Sequence, residues 1–139
     1  MSGKVHKLAR PPTAKADGFN RLFHEIVDTE AWKYISQSGA LPLLIYIWRR
    51  YNGHNNGRVS YSLREAVSQL GCGKTRAVRW FRDLQEAGFI VPVQRGSFSY
   101  KNAARAARAT TWRLTMEPCD GKAPTRDYRR FAPVGGSNA

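Results

Sequence analysis

Cysteine is scarce in this chain: 139 residues include only Cys72 and Cys119. Two thiols cannot build a disulfide framework, and no Cys/His cluster has zinc-ligand spacing. Long apolar runs are absent too. The longest, Leu41 to Trp48, contains Pro42 and falls far short of the roughly 20 residues that cross a bilayer. The N-terminus carries Lys4, Lys7 and Arg10 with no apolar segment behind them, which does not read as a secretory signal. The third shortage is of negative charge: 10 Asp+Glu face 23 Lys+Arg, for a net charge of +13. That surplus calls for a polyanionic partner, either nucleic acid or an anionic membrane surface. The expectation is a cytoplasmic, nucleoid-associated protein of bacterial or phage style with reduced thiols.

What is present suffices for one domain. Apolar residues make up 42% of the chain and charged residues 24%, proportions that fold. Residues 1–18 read as a basic flexible arm, 19–116 as the folded domain, and 117–139 as a C-terminal tail whose Tyr128 and Phe131 pin its first half to the body. No internal repeat is visible. Leu22, Phe23, Ile26 and Val27 fit one face of a short helix, and Asp28 or Thr29 caps a second one holding Trp32 and Ile35. Residues 41–51 read as a helix with Pro42 in its first turn. Leu41, Leu44, Ile45, Trp48 and Tyr51 form its main stripe, which Leu43, Tyr46 and Ile47 broaden. So apolar a helix is either the centre of the core or lends one side to a second copy of the chain.

The next segment is richest in signals. Arg58-Val59-Ser60-Tyr61 alternates like a very short strand, and Ser62-Leu63-Arg64-Glu65 is a capping box. Leu63, Ala66, Val67 and Leu70 then follow at helical spacing. Gly71-Cys72-Gly73 breaks that helix, and another begins near Lys74 with Ala77, Trp80, Phe81 and Leu84 on one face until Gly88. Beyond it the period becomes extended. Phe89-Ile90-Val91-Pro92-Val93 is a strand whose proline favours an edge, and Thr111-Trp112-Arg113-Leu114-Thr115 is its hairpin partner. A basic loop from about Arg95 to Ala109 joins them. The fold class is therefore mainly α with a small β-hairpin.

From Leu70-Gly71-Cys72-Gly73-Lys74 through Ala77, Phe81, Leu84 and Gly88-Phe89-Ile90, the chain resembles, without a gap, the helix-turn-helix signature of GntR-like and MarR-like regulators. Cys72 and Gly73 stand where that family has Val and Ser, and Trp80 where a small residue is common. With looser matching the likeness spans about residues 38–116. It implies a winged helix-turn-helix fold and binding to double-stranded DNA. No effector domain accompanies it, so no small-molecule effector is implied, and a homodimer is an open option.

Charge placement agrees with that resemblance. With Ala77, Phe81 and Leu84 buried, the opposite stripe is Thr75, Val78, Arg79 and Arg82, with Lys74 and Arg76 at its start. Residues 61–116 hold ten basic against three acidic residues, so +7 of the +13 falls there. Thr75, Arg76 and Arg79 are expected nearest base edges, and Lys74 and Arg82 on phosphates. Ser62 and Arg64 are expected to offer a backbone N–H and a cation to phosphate. In the wing, Arg95, Lys101, Arg105 and Arg108 follow the backbone or a narrow minor groove.

Other signals are weaker. Gly71-Cys72-Gly73-Lys74-Thr75 looks like the end of a phosphate-binding loop, but Ser68 replaces the required upstream glycine and a helix, not a strand, precedes it. Cys72 reads as a small buried apolar residue. Glu25, Asp28 and Glu30 decorate helix starts. No nucleophile has a base and no metal ligand set exists, so the reading is non-enzymatic, without cofactor, metal or membrane attachment. The expected function is a sequence-specific DNA-binding transcriptional regulator. The alternatives are a plasmid or mobile-element replication, transfer or excision factor, or a protein-interaction adaptor or inhibitor that turns its basic face to an acidic partner.

Overall fold

Helix ends in this chain are set by local chemistry. The computed structural model describes residues 18–94 and 109–133. Five helices are described: α1 (His24–Val27), α2 (Glu30–Ser38), α3 (Leu41–Trp48), α4 (Leu63–Leu70) and α5 (Lys74–Ala87). With them come strands β1 (Val59–Ser60), β2 (Ile90–Gln94) and β3 (Thr111–Leu114), and a 3-10 turn at Asp127–Arg130. Thr29 caps α2 by accepting a hydrogen bond from the Trp32 amide at 3.1 Å. Pro42 sits in the first turn of α3, where its missing N–H is not needed. The capping box of α4 is complete, with Ser62 and Glu65 bonded reciprocally.

Two helices differ from expectation. α1 is a single turn, because Phe23 is extended (ψ 148°) and acts as its N-cap. Only Ile26 of its apolar set is buried, while Leu22, Phe23 and Val27 are exposed. α3 ends at Trp48 rather than at residue 51, its chain tightening through Arg50 N–H to the Ile47 carbonyl and Tyr51 N–H to the Trp48 carbonyl. Its buried face is Leu43, Leu44, Ile47 and Trp48, and Ile45 is exposed.

The three strands form one antiparallel sheet in the order β1-β3-β2. β2 and β3 pair with Ile90 opposite Leu114 and Pro92 opposite Trp112, and the register shifts between Pro92 and Gln94. Pro92 thus lies on an edge strand, where its missing donor leaves no inner ladder broken. β1 adds to the other side of β3, Val59 opposite Trp112, a third strand beyond the expected hairpin.

The core gathers Trp48, Tyr61, Leu84, Phe89, Ile90, Leu114 and Tyr128. Phe81 stacks on Trp112 at 5.4 Å and Phe89 on Tyr128 at 5.1 Å. The Trp112 indole donates to the Tyr61 carbonyl, and the Trp48 indole to the Glu117 carboxylate at 2.8 Å. Asn56 is buried. Its amide group donates to the carbonyls of Leu114, Glu117 and Pro118, and its oxygen accepts from Leu114 N–H at 2.7 Å and Gly57 N–H at 3.0 Å. One side chain therefore ties the loop after α3 to the end of β3.

Residues 117–133 return across the body, held by Tyr128 as expected and by half-buried Phe131, whose ring packs on Tyr34 at 4.9 Å. Gly88 makes this approach feasible. Its φ is +90°, and a Cβ there would stand 2.8 Å from backbone atoms of Asp127 and Tyr128. Both the left-handed backbone and the missing side chain are required.

Candidate nucleic-acid interface

α4 and α5 are joined by only three residues. Gly71 takes the left-handed conformation at φ 62°, which stops α4, and Gly73 is the extended N-cap of α5. A helix therefore precedes the Gly-Lys-Thr stretch, which removes the strand a phosphate-binding loop needs. Ala66 on α4 and Ala77 on α5 are both fully buried, and such small side chains let the two helices pack closely. Cys72 is half-buried in the turn and packs against the core.

α5 has two unlike sides. Ala77, Phe81, Leu84 and Ala87 face the core, and Trp80 is half-buried with its indole N–H on the Ser38 carbonyl at 3.1 Å. Lys74, Thr75, Arg76, Val78, Arg79 and Arg82 are exposed. None of these four cations forms an ion pair among the described residues. Five other cations are engaged: Arg50 with Glu65, Arg126 and Arg129 with Glu25, Arg58 with Asp120, and Arg130 with Asp127. Gly73 provides no side-chain cap, so the first amides of α5 also lack a side-chain acceptor there.

The far end of α5 is acidic. Asp83 is buried, and the Tyr34 hydroxyl lies 3.2 Å from both the Asp83 and Glu86 carboxylates. Burial together with those two charges pushes the Tyr34 hydroxyl up to about 12, so it stays a donor. Positive charge is thus concentrated in the first nine residues of α5, which carry four cations and no carboxylate.

The start of α4 corrects one expectation. The Ser62 backbone N–H donates to Glu65 at 3.0 Å, and the Ser62 hydroxyl oxygen accepts from the Glu65 N–H at 3.1 Å. Ser62 is thus a helix cap, and its N–H is not available to phosphate. Arg50 secures the arrangement with a 2.6 Å ion pair to Glu65, a bond to the Ser60 carbonyl, and its guanidinium 4.6 Å over the Tyr61 ring. Burial alone would raise the Glu65 carboxyl, but hydrogen bonds from Arg50 and Ser62 outweigh it and hold the group below its usual range. Arg64, in the first turn of α4, is exposed, with no ion pair among the described residues. Arg95, Lys101, Arg105 and Arg108 lie outside the described residues.

Sequence reasoning missed two polar hubs. Arg50 falls within the helix read over residues 41–51 but matches no motif and no apolar stripe. Glu25, read as a surface carboxylate, receives the Tyr128 hydroxyl at 2.6 Å and Arg129 at 2.8 Å. Burial would raise Glu25, but those bonds and the charges of Arg129 and Arg126 prevail and lower it.

Among the described residues no cluster of three or more His, Cys, Asp and Glu side chains is placed to hold a metal ion. No described helix is long and apolar enough to cross a membrane. No protein-family model, curated protein or solved structure matches the chain.

Proposed function

We propose that this chain is a sequence-specific double-stranded-DNA-binding protein of the winged helix-turn-helix type, acting as a transcriptional regulator. In this reading α4 and α5 are the paired helices, α5 enters the major groove, and the connection between β2 and β3 is the wing. The observation that carries it is the exposed side of α5, where Lys74, Arg76, Arg79 and Arg82 stand without ion pairs among the described residues, opposite a fully packed face. A helix about 10–12 Å across fits the roughly 12 Å major groove, and at a rise of about 1.5 Å per residue those cations are spread over roughly 12 Å of its length. The strand order β1-β3-β2, with β2 and β3 directly paired beside α5, supports the same arrangement.

Roles follow from reach. Thr75, Arg76 and Arg79 meet base edges, Lys74, Arg82 and Arg64 hold phosphates, and Arg95, Lys101, Arg105 and Arg108 act from the wing. The deciding experiment is selection of bound duplexes from a genomic library, followed by anisotropy titration. A preferred duplex, lost on joint Arg76→Ala and Arg79→Ala substitution, supports the proposal. Equal weak binding to all duplexes, or binding unaffected by the double substitution, refutes it and favours an acidic protein partner. The genomic position of the selected site separates a promoter from an origin or attachment site.

A further inference from the structure

Val78 is out of place on chemical grounds. It is 39% exposed on α5, in the stripe otherwise formed by Thr75, Arg79 and Arg82, and takes no part in the buried core. A β-branched residue there lowers helix propensity relative to Lys, Arg or Gln, and in the free chain it gains no place in the core in exchange. Thr75 and Val78 lie one turn apart and are both short, whereas Arg76, Arg79 and Arg82 around them are long. This leaves a low strip on the helix through which its backbone can come close to a groove floor while the arginines reach outward and down.

We infer that Val78 is a specificity-determining residue that packs against the 5-methyl group of a thymine. The inference rests on the DNA-binding reading above. Of the groups that the four base pairs present in the major groove, the thymine methyl is the one apolar group of methyl size, since cytosine carries only a C5–H at that place. It is the complement of an exposed aliphatic side chain set among donors. Arginine neighbours supply bidentate contacts to guanine, so the preferred duplex holds a T·A pair within the same few base pairs as a guanine read by Arg79 or Arg76.

The test uses the preferred duplex with deoxyuridine replacing each thymine in turn, which removes only the methyl group. One thymine is expected to be sensitive, with affinity falling about 4-fold, the value of burying one methyl-sized group. The Val78→Ala protein is expected to bind the thymine and deoxyuridine duplexes alike. Its thermal midpoint should be no lower than the parent's, since the side chain is outside the core and Ala favours the helix, and this excludes misfolding as the cause. Insensitivity at every thymine overturns the inference while leaving DNA binding intact, as does an undiminished thymine preference in Val78→Ala. Absence of any preferred duplex overturns both readings together.

Discussion

Asn56 shows how much one side chain can carry. Its sequence context, Asn56-Gly57, reads as a tight turn, and a turn is there, with Gly57 at φ 88°. What the dipeptide does not reveal is that the amide satisfies three carbonyls and the β3 amide of Leu114, partners up to 62 residues away. Asn56→Ala leaves those buried backbone groups unpaired and is expected to cost about 2–3 kcal/mol, read as a lowered urea midpoint. The contrast with α5 is instructive. Arg79→Ala should leave the urea midpoint unchanged, because the side chain has no ion pair among the described residues, yet lose about 1–3 kcal/mol of base discrimination in anisotropy titrations. Lys74→Ala should instead weaken all duplexes alike and reduce the salt slope by about one. Legibility at this level follows sequence separation. The Ser62–Glu65 box spans four residues and is readable directly, whereas the Arg50–Glu65 and Glu25–Tyr128 pairs join residues from different elements and have no local signature.

α3 is the element whose orientation periodicity placed only in part, since the expected main stripe included Ile45, which is exposed. It is Leu-Pro-Leu-Leu-Ile-Tyr-Ile-Trp, apolar on nearly every side, so several stripes fit equally well. Packing of α2, α4 and α5 against it selects Leu43, Leu44, Ile47 and Trp48 and leaves Ile45 out. Leu41, Pro42, Ile45, Tyr46 and Arg49 line a shallow depression on the unpacked side. Leu44→Ala is therefore expected to cost about 2–5 kcal/mol, whereas Ile45→Gln should stay within about 0.5 kcal/mol, both by chemical denaturation. α4, α5 and the hairpin strands were legible because each has a buried face, an exposed face and a glycine or proline at a defining position. The pairing of β1 was not, since two residues carry no usable alternation and the bond to β3 is set by the tertiary fold.

Across the molecule, the segment after β3 holds the two ends of the described body together. Glu25 near one end accepts from Tyr128 and Arg129 near the other. The pH signature of this clasp has two limbs. Glu25 is lowered in the folded chain, so its contribution is present above the ordinary glutamate value of 4.5 and is lost as pH falls through the lowered one. Tyr128 is raised from 10.0 to about 12, by burial first and then by Glu25, so its contribution is complete below 10 and is lost as pH rises through about 12. The thermal midpoint should accordingly be limited on the acid side partly by Glu25, and Glu25→Gln should flatten that limb without altering the neutral plateau's shape. The sequence marked Tyr128 as a pin but not its partner, because Glu25 lies 103 residues away. This arrangement has a consequence for synthesis. Phe89 stacks on Tyr128, and backbone atoms of Asp127 and Tyr128 lie against Gly88. A nascent chain that has already made helices α1 to α5 and strands β1 to β3 still lacks the Tyr128 ring that stacks on Phe89. The ribosome must release almost 40 further residues past Phe89 before that stack can form.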